Sequence, residues 1–301
     1  MGAPPRLFDP RLRPLREPRR RRLAAARAGA DFLLARALDD LPDRLGSVNR
    51  PFPVAVDLFS PTSRVAQALA RPDRFVARVA SVWDAGGEDG GASAVASAET
   101  LPLGPASVDL AVSLLALQWC EDLPGALLQI CQALRPDGLF LGCLVGGRTL
   151  HELRAAFARA ETEVEGGVSP HVIPFADLRD LGALLQRAGF ALPVTDADTV
   201  VVRYDTMFEL MADLRAMGAT NALAERSKRF ARRDTMLRAA SVYAEQFSDA
   251  DGRIRATFEL VWLSGWAPHE SQQKPLKPGS AKASLAEALG TREVRLRDDP
   301  A

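Results

Sequence analysis

Two unbroken apolar runs, separated by a helical pattern, dominate the middle of the chain. The apolar runs cover residues 107–113 and 139–145, and apolar side chains recur at helical spacing over residues 123–134. Arg135-Pro136-Asp137-Gly138 is a strong breaker, so we expect the helix to stop there. A strand, a helix and a strand at this spacing predict a right-handed crossover and a parallel sheet. Because neither strand alternates with polar residues, both faces of that sheet should be buried.

Strand-like and helical patterns continue on both sides of this unit. Further strands are predicted at 53–58, 75–82, 191–195, 199–204 and 254–264, and a glycine-rich loop at 85–91. Helices are predicted at 17–41, 65–70, 149–163, 176–188, 206–217 and 221–247. The chain should therefore consist of a basic helical segment at 1–50, an α/β domain at 51–266 with a helical insertion at about 206–248, and a polar tail at 267–301. We expect that tail to be loose, or ordered only by a partner.

The amino-terminal stretch is the only strongly polarised part of the chain. Its nine arginines before residue 30 face only Asp9 and Glu17. A transit peptide has a similar composition. However, the stretch runs without a cleavage-like site into the apolar helical series that contains Phe32, Leu33 and Leu34. We therefore interpret it as part of a mature helix with a solvated basic face.

Charge and cysteine content restrict the partners and the compartment. The 38 basic and 38 acidic residues give a formal net charge of +0, which offers no field to attract nucleic acid or an anionic membrane. Three cysteines in no zinc-like spacing favour packed thiols in a reducing compartment. No apolar run approaches the roughly 18 residues of a membrane span. We expect a cytoplasmic protein with no nucleic-acid partner and no membrane span.

The segment after the first predicted strand is unusual for a nucleotide-binding α/β domain. In such domains a glycine-rich turn at this place lets the backbone approach a cofactor. Here residues 59–63 contain no glycine; Phe59 fills space and Pro61 lacks a backbone donor. Asp57, at the end of the strand, is equally suited to contact a cofactor and to cap the next helix.

Three central motifs resemble those of class I S-adenosylmethionine methyltransferases, including the biotin-pathway malonyl-carrier-protein methyltransferases. They occupy residues 98–103, 107–113 and 134–139. Further motifs resemble the mitochondrial complex I assembly factors of arginine-hydroxylase type and their bacterial relatives. These lie at residues 146–154, 163–171, 180–190, 207–214, 217–221 and 265–272, so the resemblance covers roughly residues 7 to 285.

The resemblance implies a doubly wound, mostly parallel, seven-stranded sheet of the Rossmann-like class I methyltransferase type. It also implies S-adenosylmethionine as cofactor and a subunit of respiratory NADH dehydrogenase as partner. The cofactor-side candidates carried over from it are Asp57, Phe59, Asp84, Ser97, Glu99, Leu114 and Leu115. Ser97 falls where an aspartate would contact adenine, and Asp84 is the carboxylate nearest to where the ribose hydroxyls would be held. A charge-assisted hydrogen bond contributes about 1.5–3 kcal/mol. Losing two such bonds to the cofactor, as these departures suggest, predicts that S-adenosylmethionine binds two to four decades more weakly.

The substrate-side candidates are Gln118, Trp119, His171 and His269, and no residue is assigned as catalytic. Leu114 and Leu115 fit the core as well as a pocket. No metal site is expected, because the three histidines form no HxD or HxE pair. Three functions remain open: S-adenosylmethionine-dependent methyl transfer, hydroxylation of a protein arginine, and non-catalytic assembly by a protein that has lost its cofactor.

Overall fold

The computed structural model describes residues 6–82, 92–273, 286 and 289–291. The chain divides into a large unit, Met1–Pro268, and a small unit, His269–Ala301. The strands of the large unit are β1 Val54–Leu58, β2 Phe75–Ser81, β3 Ala94–Ala96, β4 Val108–Leu114, β5 Leu134–Val145, β6 Ala191–Tyr204 and β7 Ile254–Trp266. Its helices are α1 Leu12–Ala26, α2 Phe32–Gly46, α3 Arg64–Leu69, α4 Leu123–Ala133, α5 His151–Glu165, α6 Leu178–Arg187, α7 Met207–Ala216 and α8 Arg233–Phe247, with a 3-10 turn at Leu117–Trp119.

The seven strands form one sheet in the order β3-β2-β1-β4-β5-β7-β6. β1 to β5 pair in parallel, whereas β7 is antiparallel to both of its neighbours. This confirms the predicted α/β class and the mostly parallel seven-stranded sheet. The carboxyl ends of β1, β2 and β4 meet at one edge, which is where ligands bind in open α/β sheets.

Two separate hydrophobic clusters explain why the central strands are apolar without alternation. Ala55 and Leu110 belong to the cluster on one face, together with residues of α2, α5, α7 and α8. Val56 and Ala111 belong to the cluster on the other face, with α4 and α6. Each face therefore excludes water, so consecutive strand residues are all apolar.

Two predicted boundaries at the amino terminus and at the sheet edge were wrong. The single helix predicted at 17–41 is two helices, because Gly29 takes a left-handed φ of 75° between them. The two strands predicted at 191–195 and 199–204 are the single strand β6. Its central carboxylates do not interrupt it, since Arg44 of α2 donates to Asp196 and Arg36 donates to Asp198.

The helix predicted at 221–247 begins only at Arg233. The segment before it pairs with the amino-terminal chain instead, through a bridge between Phe8 and Leu223. The N–H of Ala224 donates to the Leu7 carbonyl at 2.9 Å. These bonds take the backbone groups that a longer helix would have used.

The predicted breaker at 135–138 lies inside β5, which starts with Leu134 opposite Val108 and then shifts register. The predicted glycine-rich loop and most of the predicted tail fall outside the described residues. Within the described ranges, no helix is both long and apolar enough to cross a membrane.

Candidate active site

A cavity of about 420 Å³ lies at the carboxyl edge of the sheet. The sheet side of its wall is formed by residues at or just after the ends of β1, β2 and β4, among them Phe59, Ser81, Leu115 and Gln118. The opposite side is formed by α1, by the start of α2 and by residues 214–221. Cavities of about 300–1,000 Å³ hold small ligands or single side chains. The position is the one at which this class of sheet binds its ligands.

Phe59 occupies the first turn position after β1 and has a glycine-like backbone. Its φ is 62°, although the residue is not glycine. Its N–H donates to the Val79 carbonyl at 2.8 Å, and its ring is buried against the cluster that contains Leu58. The turn of a glycine-rich loop is therefore preserved, but a ring fills the space that glycine would leave open.

Asp57, the first predicted cofactor contact, does not line the cavity. It is fully buried, and its Oδ2 lies 3.6 Å from the Nε of Arg78 on the adjacent strand. Arg78 also donates to the Ser60 carbonyl at 3.3 Å. Burial raises the pKa of Asp57 to about 7. The carboxylate thus faces an internal arginine as an ion pair, and neither of its oxygens accepts a hydrogen bond from a described residue.

The other cofactor-side candidates separate into lining and non-lining residues. Glu99 and Leu115 line the cavity, whereas Ser97 and Leu114 do not. The Ser97 hydroxyl instead donates a hydrogen bond to the Glu99 carboxylate. The N–H of Glu121 donates to Glu99 Oε1 at 3.1 Å. Leu114 is core, as one of the two interpretations held. Asp84 lies outside the described residues.

This site does not fit S-adenosylmethionine in the way that the fold family implies. The Phe59 ring stands where glycine would let a cofactor approach the backbone. Ser81, the last residue of β2, lines the cavity, and the carboxylate candidate for the ribose, Asp84, falls outside the described residues. Asp57 is already paired with Arg78.

Gln118 and Trp119 follow β4 and present polar and aromatic surface to the cavity. Gln118 donates from Nε2 to the Leu115 carbonyl at 2.8 Å. Its Oε1 is buried and accepts no hydrogen bond from any described residue. The guanidinium carbon of Arg13 lies 4.4 Å from the centroid of the Trp119 ring, and the Phe8 ring lies 5.6 Å from the same ring.

The amino-terminal helix forms part of the cavity wall, which corrects the prediction that its charged face is only solvated. Arg13, Glu17 and Arg20 all line the cavity. Glu17 is buried and accepts hydrogen bonds from Arg20 and Arg21. Burial raises the pKa of Glu17, but these bonds outweigh it, so the pKa is lowered. The sequence did contain a signal for these bonds: Glu17 lies three residues before Arg20 and four before Arg21, a spacing at which helical side chains pair.

The two substrate-side histidines lie in different units. His171 lines the cavity; its ring stacks on Phe157 with centroids 4.0 Å apart, and its Nε2 lies 2.7 Å from Glu161 Oε1. His269 belongs to the small unit, where its Nδ1 lies 2.7 Å from the Ser271 hydroxyl. Across the residues with described positions, no group of three or more side chains could hold a metal ion.

Cys120 is the only one of the three cysteines that lines the cavity. Burial and the neighbouring Glu99 raise the pKa of its thiol to about 12. Burial also raises the thiol pKa of Cys131 and Cys143. All three are therefore neutral at physiological pH and poor nucleophiles.

Comparison with known proteins places the chain in a family. The family described as "Methyltransferase domain" matches residues 54–142. "Arginine-hydroxylase NDUFAF5, mitochondrial" of Danio rerio is 42% identical over 265 residues, covering 85% of this chain and 82% of that protein. The protein of the same name in Homo sapiens is 43% identical over 263 residues, covering 85% and 76%.

A malonyl-[acyl-carrier protein] O-methyltransferase of Xylella fastidiosa (strain M23) is 43% identical over 171 residues, covering 57% of this chain and 56% of that protein. Among solved structures, the YcgJ protein of Bacillus subtilis superposes with a TM-score of 0.50 at 13% identity, over 77% of this chain and 99% of that one. The structural likeness shows the methyltransferase fold alone. The identity to the first two relatives over most of their length shows more: this chain belongs to the family of the proteins named arginine-hydroxylase NDUFAF5.

Proposed function

We propose that this protein is an enzyme that binds an arginine side chain of a respiratory NADH dehydrogenase subunit in the cavity and modifies it. Hydroxylation is the reaction printed in the names of the relatives, and it would need an external oxygen donor such as dioxygen, with a two-electron reductant, as co-substrates. The observation that carries the proposal is the cavity wall made by Glu99, Gln118 and Trp119. It combines a carboxylate, an acceptor with no described donor and a ring face that already holds a guanidinium.

Trp119 provides the aromatic surface of this wall. A guanidinium binds an aromatic face through the quadrupole of the ring and through planar stacking. Arg13 of the protein itself makes this contact, with its guanidinium carbon 4.4 Å from the centroid of the Trp119 ring. A substrate guanidinium would stack beside Arg13 or replace it on the ring.

Gln118 and Glu99 provide the hydrogen-bond acceptors. A guanidinium has five N–H donors and no acceptor, so it matches a site whose polar atoms accept. The buried Oε1 of Gln118 gains a donor that the described residues do not provide. Glu99 is oriented by the Glu121 N–H and offers its carboxylate to a charge-assisted bond.

The amino-terminal segment positions and covers this wall. The N–H groups of Leu7 and Phe8 donate to the Glu121 carboxylate at 2.9 and 2.7 Å, which holds the Phe8 ring against Trp119. Phe8 thus covers part of the Trp119 surface, whereas Glu99 is exposed and its attraction for the guanidinium is screened by solvent. We also propose a cytoplasmic location, which three neutral free thiols favour.

Mass spectrometry of the partner complex tests this function. NADH dehydrogenase is purified from a strain that lacks the gene and from the same strain complemented with it, and every arginine-containing peptide is weighed. An arginine that carries one extra oxygen only in the complemented strain supports the proposal. A methylene gain would identify methyl transfer instead of hydroxylation. Identical arginine masses in both strains would contradict an enzyme and favour a non-catalytic assembly protein.

A further inference from the structure

A second cavity, of about 600 Å³, lies next to the first and is lined by arginines. The two cavities share wall residues, including Arg13, Glu17, His171 and Asn221. The arginines that belong to the second cavity alone come from α1, from α7 and from the loop before α8. They are Arg16, Arg19, Arg215, Arg226, Arg229 and Arg232.

The carboxylates in the wall of this cavity are already engaged. Glu17 accepts from Arg20 and Arg21, and Glu161 accepts from the Ser169 N–H and hydroxyl. Glu165 accepts from the Thr235 hydroxyl at 2.5 Å. Bonds from Ser169 and His171 outweigh the effect of burial and lower the pKa of Glu161. Glu161 and Glu165 keep their negative charge, but the described wall holds eight arginines against three glutamates, so the cavity is net positive.

Several of the arginines have their charge available to a ligand. Arg19, Arg215 and Arg229 form no ion pair with any carboxylate that the structure describes. Arg16 donates only to neutral groups, the Thr220 hydroxyl at 3.1 Å and the Asn221 carbonyl at 2.7 Å. Burial and repulsion from Arg226 lower the pKa of Arg16, as expected where cations are crowded.

The wall of the second cavity also includes an aromatic anchor. Phe230 lies in the wall with a fully exposed ring, at 102% of its reference area. An exposed aromatic residue among arginines has the composition of a protein interface.

We propose that the second cavity binds an acidic segment of the protein substrate, with an apolar side chain of that segment against Phe230. The proposal rests on the proposed function, since the shared wall lets a substrate whose arginine enters the first cavity extend into the second. Charge complementarity to the arginines identifies the ligand as Asp- and Glu-rich. Grooves that bind single-stranded nucleic acid stack the bases on several exposed rings, and Phe230 is the only exposed aromatic side chain in the described wall.

Fluorescence anisotropy with the full-length protein tests the site. The probe is a labelled twelve-residue peptide of Glu and Ala with one central Leu and one Arg. The Arg19→Glu/Arg229→Glu variant should bind it at least about tenfold more weakly than the unmodified protein, and binding should weaken with added salt. The matched control is Arg22→Glu/Arg179→Glu, which makes the same charge change at two exposed residues outside the cavity. Circular dichroism verifies that both variants are folded.

A second arm is independent of charge. Phe230→Ser should weaken binding of the leucine peptide and leave binding of a glycine-centred peptide unaffected, because only the leucine contacts the ring. The variant should fold normally, since the exposed Phe230 ring contributes nothing to the core. Equal losses in the cavity and control variants, or no peptide binding at millimolar concentration, would overturn the proposal. So would cavity-dependent binding of single-stranded DNA or of phosphatidylglycerol vesicles that exceeds peptide binding. Peptide binding is measured without any modification of arginine. If the arginine masses are identical in both strains but the peptide still binds in the second cavity, only the proposed function is contradicted.

Discussion

The Oδ2 atom of Asp57 lies 3.6 Å from the Nε of Arg78, and the two residues are register partners on the parallel strands β1 and β2. Their side chains are 0% and 8% exposed, so this is a buried ion pair at the strand end where the fold family places a cofactor contact. A buried pair gives little net stability, but breaking it leaves an uncompensated charge. Asp57 therefore has a structural role that a ligand contact would disturb.

Removing the arginine alone should destabilise the protein moderately. We expect Arg78→Met to lower the free energy of unfolding by about 1–2 kcal/mol, because the Asp57 carboxyl, whose pKa is already about 7, takes up a proton when its charge loses its partner. The double variant Asp57→Leu/Arg78→Met should recover most of that loss. Urea unfolding of all three proteins at pH 8 measures both values. A double variant as unstable as Arg78→Met would show that the charge is not the cause.

Protonation of Asp57 should make stability depend on pH. Its folded pKa is raised from 3.8 to about 7, so the folded state binds a proton that the unfolded state has released. The stabilising contribution is complete below about pH 4 and is lost as the pH rises to about 7, on the order of 4 kcal/mol in total. The difference in unfolding free energy between the unmodified protein and Asp57→Asn isolates this contribution. Parallel stability curves from pH 4 to pH 8 would contradict the buried carboxyl.

Gln118→Leu should reduce arginine modification without destabilising the fold. The variant removes the buried Oε1 acceptor, and losing a hydrogen bond to a charged group costs about 1.5–3 kcal/mol, or roughly 10- to 100-fold in modified arginine. The free energy of unfolding should stay within about 1 kcal/mol, since removing the unpaired buried acceptor offsets the loss of the bond from Gln118 Nε2 to the Leu115 carbonyl. Quantitative peptide mass spectrometry in the complemented strain gives the first value and urea unfolding gives the second.

The control for this variant is Gln67→Leu, on α3 and outside both cavities, which should leave arginine modification unchanged. If Gln118→Leu modifies arginine at the normal rate, the guanidinium is bound elsewhere.

Calorimetric titration should show that S-adenosylmethionine binds two to four decades more weakly than to a glycine-loop methyltransferase. The Phe59 ring obstructs the turn, and two charge-assisted bonds are lost. Asp57 faces Arg78, and Ser97, which bonds Glu99, stands where an aspartate would contact adenine. Phe59→Gly frees the space, but it should still lower the unfolding free energy by about 3 kcal/mol. The buried ring contributes more than the strain of its positive φ costs. Micromolar binding by the unmodified protein would refute the argument from these residues.

The sequence alone determined the sheet and the unusual loop. Apolar runs such as those around Val56 and Leu110 predict strands buried on both faces. Successive strand residues point to opposite faces, so a strand covered on both sides has consecutive apolar residues. The absence of glycine at 59–63 was equally visible, and Phe59 does fill the turn. The similarity of motifs along the chain identified the family, because motifs can be compared without knowing which residues are in contact.

Only the tertiary structure decided which surfaces face each other. The pairing of Phe8 with Leu223 places α1 over the cavity, so Arg13 stacks on Trp119 instead of facing solvent. That pairing joins segments far apart in the chain, and periodicity records which face of a helix is buried but not which partner buries it. The open acceptor of Gln118 is likewise a property of its surroundings, because a hydrogen bond is satisfied or missing only once the neighbours are in place.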